Sequence, residues 1–243
     1  MNGIKYNIEV GSPCSGWAEG EHVEPGVSVY NPDESQNNAL SLLSCIGNEA
    51  TVKSGDAKGV KGIVTGKHGP VHVHFKRRDK ENLTIGDLVQ IKTWGVGLKI
   101  KGYEGVNIHK CGPNLVEALG IDEKGGELIV PVVAEFPAEL MGSGIGMSPH
   151  SVDYDIQSTC PEVVDEYGIN RLRIGDIVAL RDQLNDYGRG YYKGAISIGV
   201  IIHGWSHHSG HGPGVTTIMS TKYRTLKTRL DQDSNIIKVL NIT

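Results

Sequence analysis

Four of the ten histidines in this 243-residue chain, His203, His207, His208 and His211, fall within nine positions, in the stretch GVIIHGWSHHSGHGPGVT (residues 199–216). Imidazoles titrate near neutrality and are common metal ligands. The glycines around them let backbone approach a ligand closely. Two further motifs carry matching chemistry. In EHVEPG (residues 21–26), an extended backbone puts His22 and Glu24 on one face, because strand side chains repeat every two residues. That face supplies two metal ligands or is the polar edge of an exposed strand. In DYDIQ (residues 153–157), Asp153 and Asp155 share a face in the same way. Neighbouring carboxylates repel, so burying both calls for a cation or a shared proton; in solvent the pair costs nothing. The small-residue loop MGSGIG (residues 141–146) offers the Ser143 hydroxyl and the amides of Gly142 and Gly144 to a ligand. Gly212 and Gly214 offer amides beside His211.

Combined, these residues predict a metal-assisted hydrolase of small amides or other C–N bonds. His22, Glu24 and His203 are the expected metal ligands, with zinc the best match to mixed imidazole and carboxylate donors. Asp153, Asp155, His211 and Ser143 are the expected catalytic groups. One spare carboxylate would be the general base, and Ser143 or glycine amides would hold the oxyanion. Two other classes remain open: a non-catalytic binder of a small polar molecule, and a metal-free lyase or isomerase using His211 and Asp155 as acid and base.

Nucleotide chemistry is excluded. The glycine-rich run KSGDAKGVKGIVTGKHG (residues 53–69) lacks P-loop spacing: Lys61 stands where the first glycine belongs, and His68 follows Lys67 where Ser or Thr is required. In VHVHF (residues 71–75), His72 and His74 share the face opposite Val71, Val73 and Phe75. A solvent-facing role is expected for both, ahead of chelation.

The elements that must position these groups are mostly strands. Glycine makes up 33 of 243 residues, about twice the usual ~7%, and its scatter implies many turns. Only two Phe are present, so the core rests on Val, Ile and Leu, which suit strands. Strands are expected at residues 4–10, 71–75, 127–134, 196–202 and 215–219, and a turn at Gly86-Asp87 should lead into another. A turn-rich stretch covers residues 11–20. Short helices are expected at residues 35–45 with Ser35 as N-cap, 113–119 and 161–168. The fold class is therefore mainly β with a minor α+β character: barrel-like β units with a few short helices. The expected parts are residues 1–130, barrel-like, and residues 131–243, carrying the His/Gly loop. The pattern L-x-I-G-D-[LI]-V occurs at residues 83–89 and 172–178, and H-G-P at residues 68–70 and 211–213. Asp87 and Asp176 in the first echo are read as structural.

Net charge is −4 with no basic block, so no nucleic-acid partner is expected. No apolar run approaches the ~20 residues of a membrane helix, and the start MNGIKYN is not a signal peptide. Cys14, Cys45, Cys111 and Cys160 are far apart, which fits reduced thiols and a cytoplasmic location. Cys45 is read as a small buried hydrophobe. Homo-oligomerisation is expected from the need to protect sheet edges, with residues 182–192 (DQLNDYGRGYY) as interface or lid, or else an ordinary exposed loop.

The strings HVEPGVS, NNAL, CIGNEA, SGDAKG, MGSG, DYDIQ, GDIVAL, YGR and GHGPGV, spread from residue 22 to residue 215, resemble the family called domain of unknown function 4438. That resemblance implies a mainly β structure with a barrel-like N-terminal part, brings no established activity, and implies extra residues in relatives ahead of the point matching Met1. HGPVHV (residues 68–73), followed by GDLVQI (residues 86–91) and the loop around Met141 and Asp155, carries a fainter resemblance to acetamidase/formamidase-type amide hydrolases. It implies a β scaffold with a polar Asp and His site.

Overall fold

Val- and Ile-rich segments pair into three sheets in the computed structural model, which describes residues 1–17 and 22–242. The first sheet runs Gly3–Ile4, Val27–Val29, Val71–His74, Lys61–Lys67, Glu49–Val52 and Val89–Lys92 in spatial order, each strand antiparallel to its neighbours. Its end strands do not pair with each other, so it is a curled half-barrel with two edges. Val27, Val64, Val73 and Phe75 fill its core.

The second sheet runs Ala134–Phe136, Ile177–Leu184, Gly190–His203, Gly214–Thr221 and Tyr154–Asp155. A third, of Leu226–Leu230, Glu127–Val132 and Asp122–Lys124, shares its core with the second. The first two sheets meet at Gly66, where a Cβ would come within 2.7 Å of Ile202 Cβ. Only a residue without a side chain permits that approach.

The mainly β class with short helices holds, and several local expectations change. The strand expected at residues 4–10 is only Gly3–Ile4; after Ile4 the chain gives isolated backbone bonds, such as the Gly26 N–H to Ile8 O at 2.9 Å. The first helix, Glu34–Leu43, is capped by Asp33 and not Ser35. The Asp33 carboxylate accepts from the Gln36 N–H at 2.8 Å, and an anion suits a helix N-terminus. His72 is fully buried, against the expected solvent face. Val71–His74 is an interior strand, and on the His72 face lie Glu24, 3.4 Å from its Nε2, and Gly66, where Ile202 of the second sheet packs.

Asp87 accepts from the Thr84 N–H at 2.9 Å and Asp176 from the Arg173 N–H at 2.8 Å, so the echoed aspartates close matching turns. Cys14, Cys45 and Cys111 are buried free thiols and Cys160 is exposed. Among the described residues, no helix is long and apolar enough to cross a membrane. Residues 18–20 of the expected turn-rich stretch, and Glu21, lie outside the described residues.

Candidate metal centre

Gly214 stands between Asp155 on one neighbouring strand and His203 on the other. A Cβ there would overlap His203 Nε2 and lie 2.6 Å from Asp153 Oδ2. The absent side chain leaves the space in which the acids and the imidazole meet. Asp153 precedes Asp155 by two positions, and both reach the same histidine: His203 Nε2 lies 2.9 Å from Asp153 Oδ2 and 3.5 Å from Asp155 Oδ1.

The first sheet brings two more imidazoles. His68 follows the strand Lys61–Lys67, where the His68 N–H donates to Pro70 O at 3.0 Å and closes the turn. His22 has a left-handed backbone, φ 48°. Two backbone bonds hold it beside His203: its N–H donates to Trp205 O at 3.1 Å, and the Gly204 N–H donates to Val23 O at 2.9 Å. His211 comes from the glycine-rich loop. Ring centroids lie 4.5 Å apart for His68 and His203, 4.9 Å for His22 and His203, and 5.4 Å for His22 and His211. The ligating atoms fall into two groups, His22, Asp155 and His211, and His68, Asp153 and His203, each with its atoms mutually within 4.8 Å.

Behind these groups stands a second layer. His203 Nδ1 is 2.7 Å from Gly204 O, His211 Nδ1 is 3.2 Å from Ser209 O, and His68 Nδ1 is 3.1 Å from Glu24 Oε1. A carbonyl or carboxylate at Nδ1 fixes the proton there and leaves Nε2 with a lone pair facing inward, the usual support of metal-binding histidines. Glu24 is itself held by Lys5 Nζ at 3.1 Å, Ser28 Oγ at 3.0 Å and His72 Nε2 at 3.4 Å. Arg189, almost fully buried, donates to Asp155 O at 3.0 Å and to Gly142 O and Ser143 O at 2.6 Å each. Its guanidinium lies 4.7 Å from the Tyr154 ring centre.

Burial opposes charge on Asp153 and His203, but their mutual hydrogen bond and opposite charges outweigh it: the carboxyl is lowered and the imidazole raised. Without an ion, a protonated His203 therefore holds the two carboxylates together. His22 is pushed down by burial and then by His203, which keeps its lone pair available. Lys110 is buried one layer back, donating to Val152 O. Burial lowers its ammonium well below the ordinary value, and lowers that of Lys67 to about 8.

Two family models cover the chain: Domain of unknown function (DUF4438), N-terminal, matches residues 1–117, and Domain of unknown function (DUF4438), C-terminal, matches residues 118–240. The chain belongs to this family. The crystal structure of TM1086 is similar, with 47% identity and a TM-score of 0.92 over 98% of this chain and 84% of that one. No curated protein matches. The comparisons give no support to the acetamidase/formamidase resemblance.

Within this DUF4438 chain, the structure gathers His22, Asp153, Asp155, His203 and His211, together with His68, into two groups that could hold a metal ion. Glu24 stands behind them, because both of its oxygens are occupied by His68, His72, Lys5 and Ser28. The Gly142 N–H already donates to Asp155 O at 3.0 Å and the Ser143 N–H to Gly210 O at 2.7 Å, so neither amide is free for an oxyanion. The Ser143 residue is exposed. Gly142 and Gly212 instead permit backbone contact: a Cβ would overlap Gly210 O and Ile156 O respectively. Gly144 has φ +93°, a turn conformation. His68, Arg189 and Lys110 were not among the expected site residues. For His68 the signal was the repeated H-G-P, since both of its histidines reach the centre.

Proposed function

We propose that this chain is a divalent-metal-dependent hydrolase of small amides or other C–N bonds. One observation carries the reading: four imidazoles and two carboxylates converge from both halves of the chain, and three of the imidazoles have Nδ1 engaged by an oxygen. A cluster so dense in charge would otherwise be a costly way to fill an interior. Zinc suits the mixed donors.

A divalent ion held there polarises a substrate carbonyl and brings the pKa of a water to about 7. The spare-carboxylate base expected from sequence is then not required, and none is left, because Glu24 is engaged on both oxygens. The protein's residues fix the donors: Gly214 clears the space, Glu24 orients His68, and Arg189 anchors the backbone of Asp155. In the reaction, water adds to the carbonyl carbon, the C–N bond breaks, and the amine leaves with a proton from that water. The products are an acid and an amine.

The test is elemental mass spectrometry of untagged protein purified without chelator, followed by an amide and lactam panel. Bound zinc, manganese or iron, with turnover lost on chelation, supports the reading. A protein that stays metal-free after incubation with those ions overturns it. Thermal stabilisation by an amide that remains intact would favour the ligand-binding class.

A further inference from the structure

We infer that the centre holds two divalent ions bridged by Asp155, one on His22 and His211, the other on His68, His203 and Asp153. The inference rests on the metal-dependent reading above and specifies its stoichiometry.

Asp155 shows the division most directly. Its two carboxylate oxygens face different histidines: Oδ2 lies 3.8 Å from His22 Nε2, and Oδ1 lies 3.5 Å from His203 Nε2. A carboxylate that serves one ion presents one oxygen, or both, to one set of partners. Here each oxygen belongs to a different set. The ligand atoms fall into two groups of three, with Asp155 in the first and its Oδ1 within reach of His203 in the second. The groups are adjacent, since the His22 and His203 rings are 4.9 Å apart. That adjacency suits paired ions, which in hydrolases sit about 3.5–4 Å apart.

Charge and donor type agree with two ions. Each group supplies two imidazoles and one carboxylate, a common ligand set for an ion that keeps an open position for water or substrate. Two carboxylates lie inside the centre and Glu24 stands directly behind it, so the anionic charge is spread across both groups. Each group also has its own second-layer support: Ser209 O holds His211 in the first, and Glu24 and Gly204 O hold His68 and His203 in the second.

The division also assigns chemistry. With an ion on each side of Asp155, one binds the substrate carbonyl oxygen while the other supplies the water, the shared role of two-metal sites. Substrates would thus be small molecules whose scissile carbonyl can reach both ions. Removing either group should leave binding of one ion and little turnover.

The experiment uses the full chain, stripped with chelator and dialysed against Mn²⁺ or Zn²⁺. Elemental mass spectrometry gives the stoichiometry, and paramagnetic resonance of the Mn²⁺ form reports coupling. Two ions per chain with an exchange-coupled spectrum are expected. H211A and H68A should each fall to one ion with an isolated-ion spectrum, and D155A should lose coupling. Both histidines are half-buried, and circular dichroism checks that the variants fold. One ion per wild-type chain overturns the dinuclear inference and leaves the metal-dependent reading standing. No ion overturns both. Two uncoupled ions overturn the Asp155 bridge. The wild-type measurements decide the matter even if a variant fails to fold.

Discussion

Gly214 lies against His203 so closely that a Cβ on it would overlap the imidazole Nε2. His203 is fully buried, with Nδ1 2.7 Å from Gly204 O, so its ring cannot swing aside. The position is a strand residue without a left-handed φ, so alanine fits the backbone and conflicts only with the site. G214A should keep its circular dichroism spectrum and bind metal at least about tenfold more weakly, as loss of ligand geometry does. Calorimetric titration with Zn²⁺ checks this; unchanged affinity would show that the space above Gly214 holds no ion.

Glu24 and His68 give a second prediction. Glu24 holds the ring by Nδ1 at 3.1 Å and is itself held by Lys5 and Ser28. Its carboxyl is strongly lowered: burial opposes charge, but the bonds from His68 and His72 prevail. E24Q keeps the shape and removes the charge. Supporting carboxylates of this kind contribute about 10–100-fold in metal affinity, so affinity should fall while the number of ions stays the same. A drop in ion number would make Glu24 a ligand, as its spacing from His22 first predicted.

Much of the centre was legible in the chain, because local period and composition set it. Asp153 and Asp155 share a face by the two-residue repeat, and the glycines around His211 marked a close backbone approach. What sequence could not supply was the pairing of sheets. Whether His72 meets water or protein depends on what packs over its face of the sheet, and there stand Glu24 and the contact of Gly66 with Ile202 of the second sheet. Glu24 falls in neither group of ligating atoms, and His68, forty-four residues away, lies 3.1 Å from its carboxylate. His68 itself sat in a run tested against a phosphate-binding pattern and in the string HGPVHV, and neither reading made it a site residue, although its H-G-P echo pointed to His211.

Arg189 lies within residues 182–192, the stretch expected to be an interface or lid. Its guanidinium is instead buried, with bonds to three backbone oxygens. Hydrogen bonds to a charged group contribute about 1.5–3 kcal/mol each, and buried carbonyls left without donors add a penalty. R189M should therefore lower unfolding stability by about 3 kcal/mol or more, read as a lower urea midpoint at unchanged slope. Metal affinity should fall with it, because the backbone of Asp155 loses its anchor. A loss within 0.5 kcal/mol would mean that the carbonyls find other donors.

His109 sets a pH dependence independent of the centre. Its backbone N–H donates to Ile218 O at 2.9 Å, which draws the ring inside, and neither ring nitrogen has a hydrogen-bond partner among the described residues. Burial first, then His150 and Lys110, lower its pKa to about 4. In the unfolded chain an ordinary imidazole titrates near 6.5. Between those values the unfolded state binds the extra proton, so stability rises with pH across that window. The contribution is complete above about pH 6.5 and is lost as pH falls toward the folded value of about 4. The shift corresponds to about 3 kcal/mol. Urea denaturation of wild type and H109N at pH 7.5 and 4.5 isolates this term from the carboxylates, which titrate in both proteins. Wild type should lose about 2.5 kcal/mol more than the variant between those pH values, the rest of the shift being lost below pH 4.5. Parallel losses would mean that the imidazole takes up its proton without leaving the fold, by way of a partner such as a bound water.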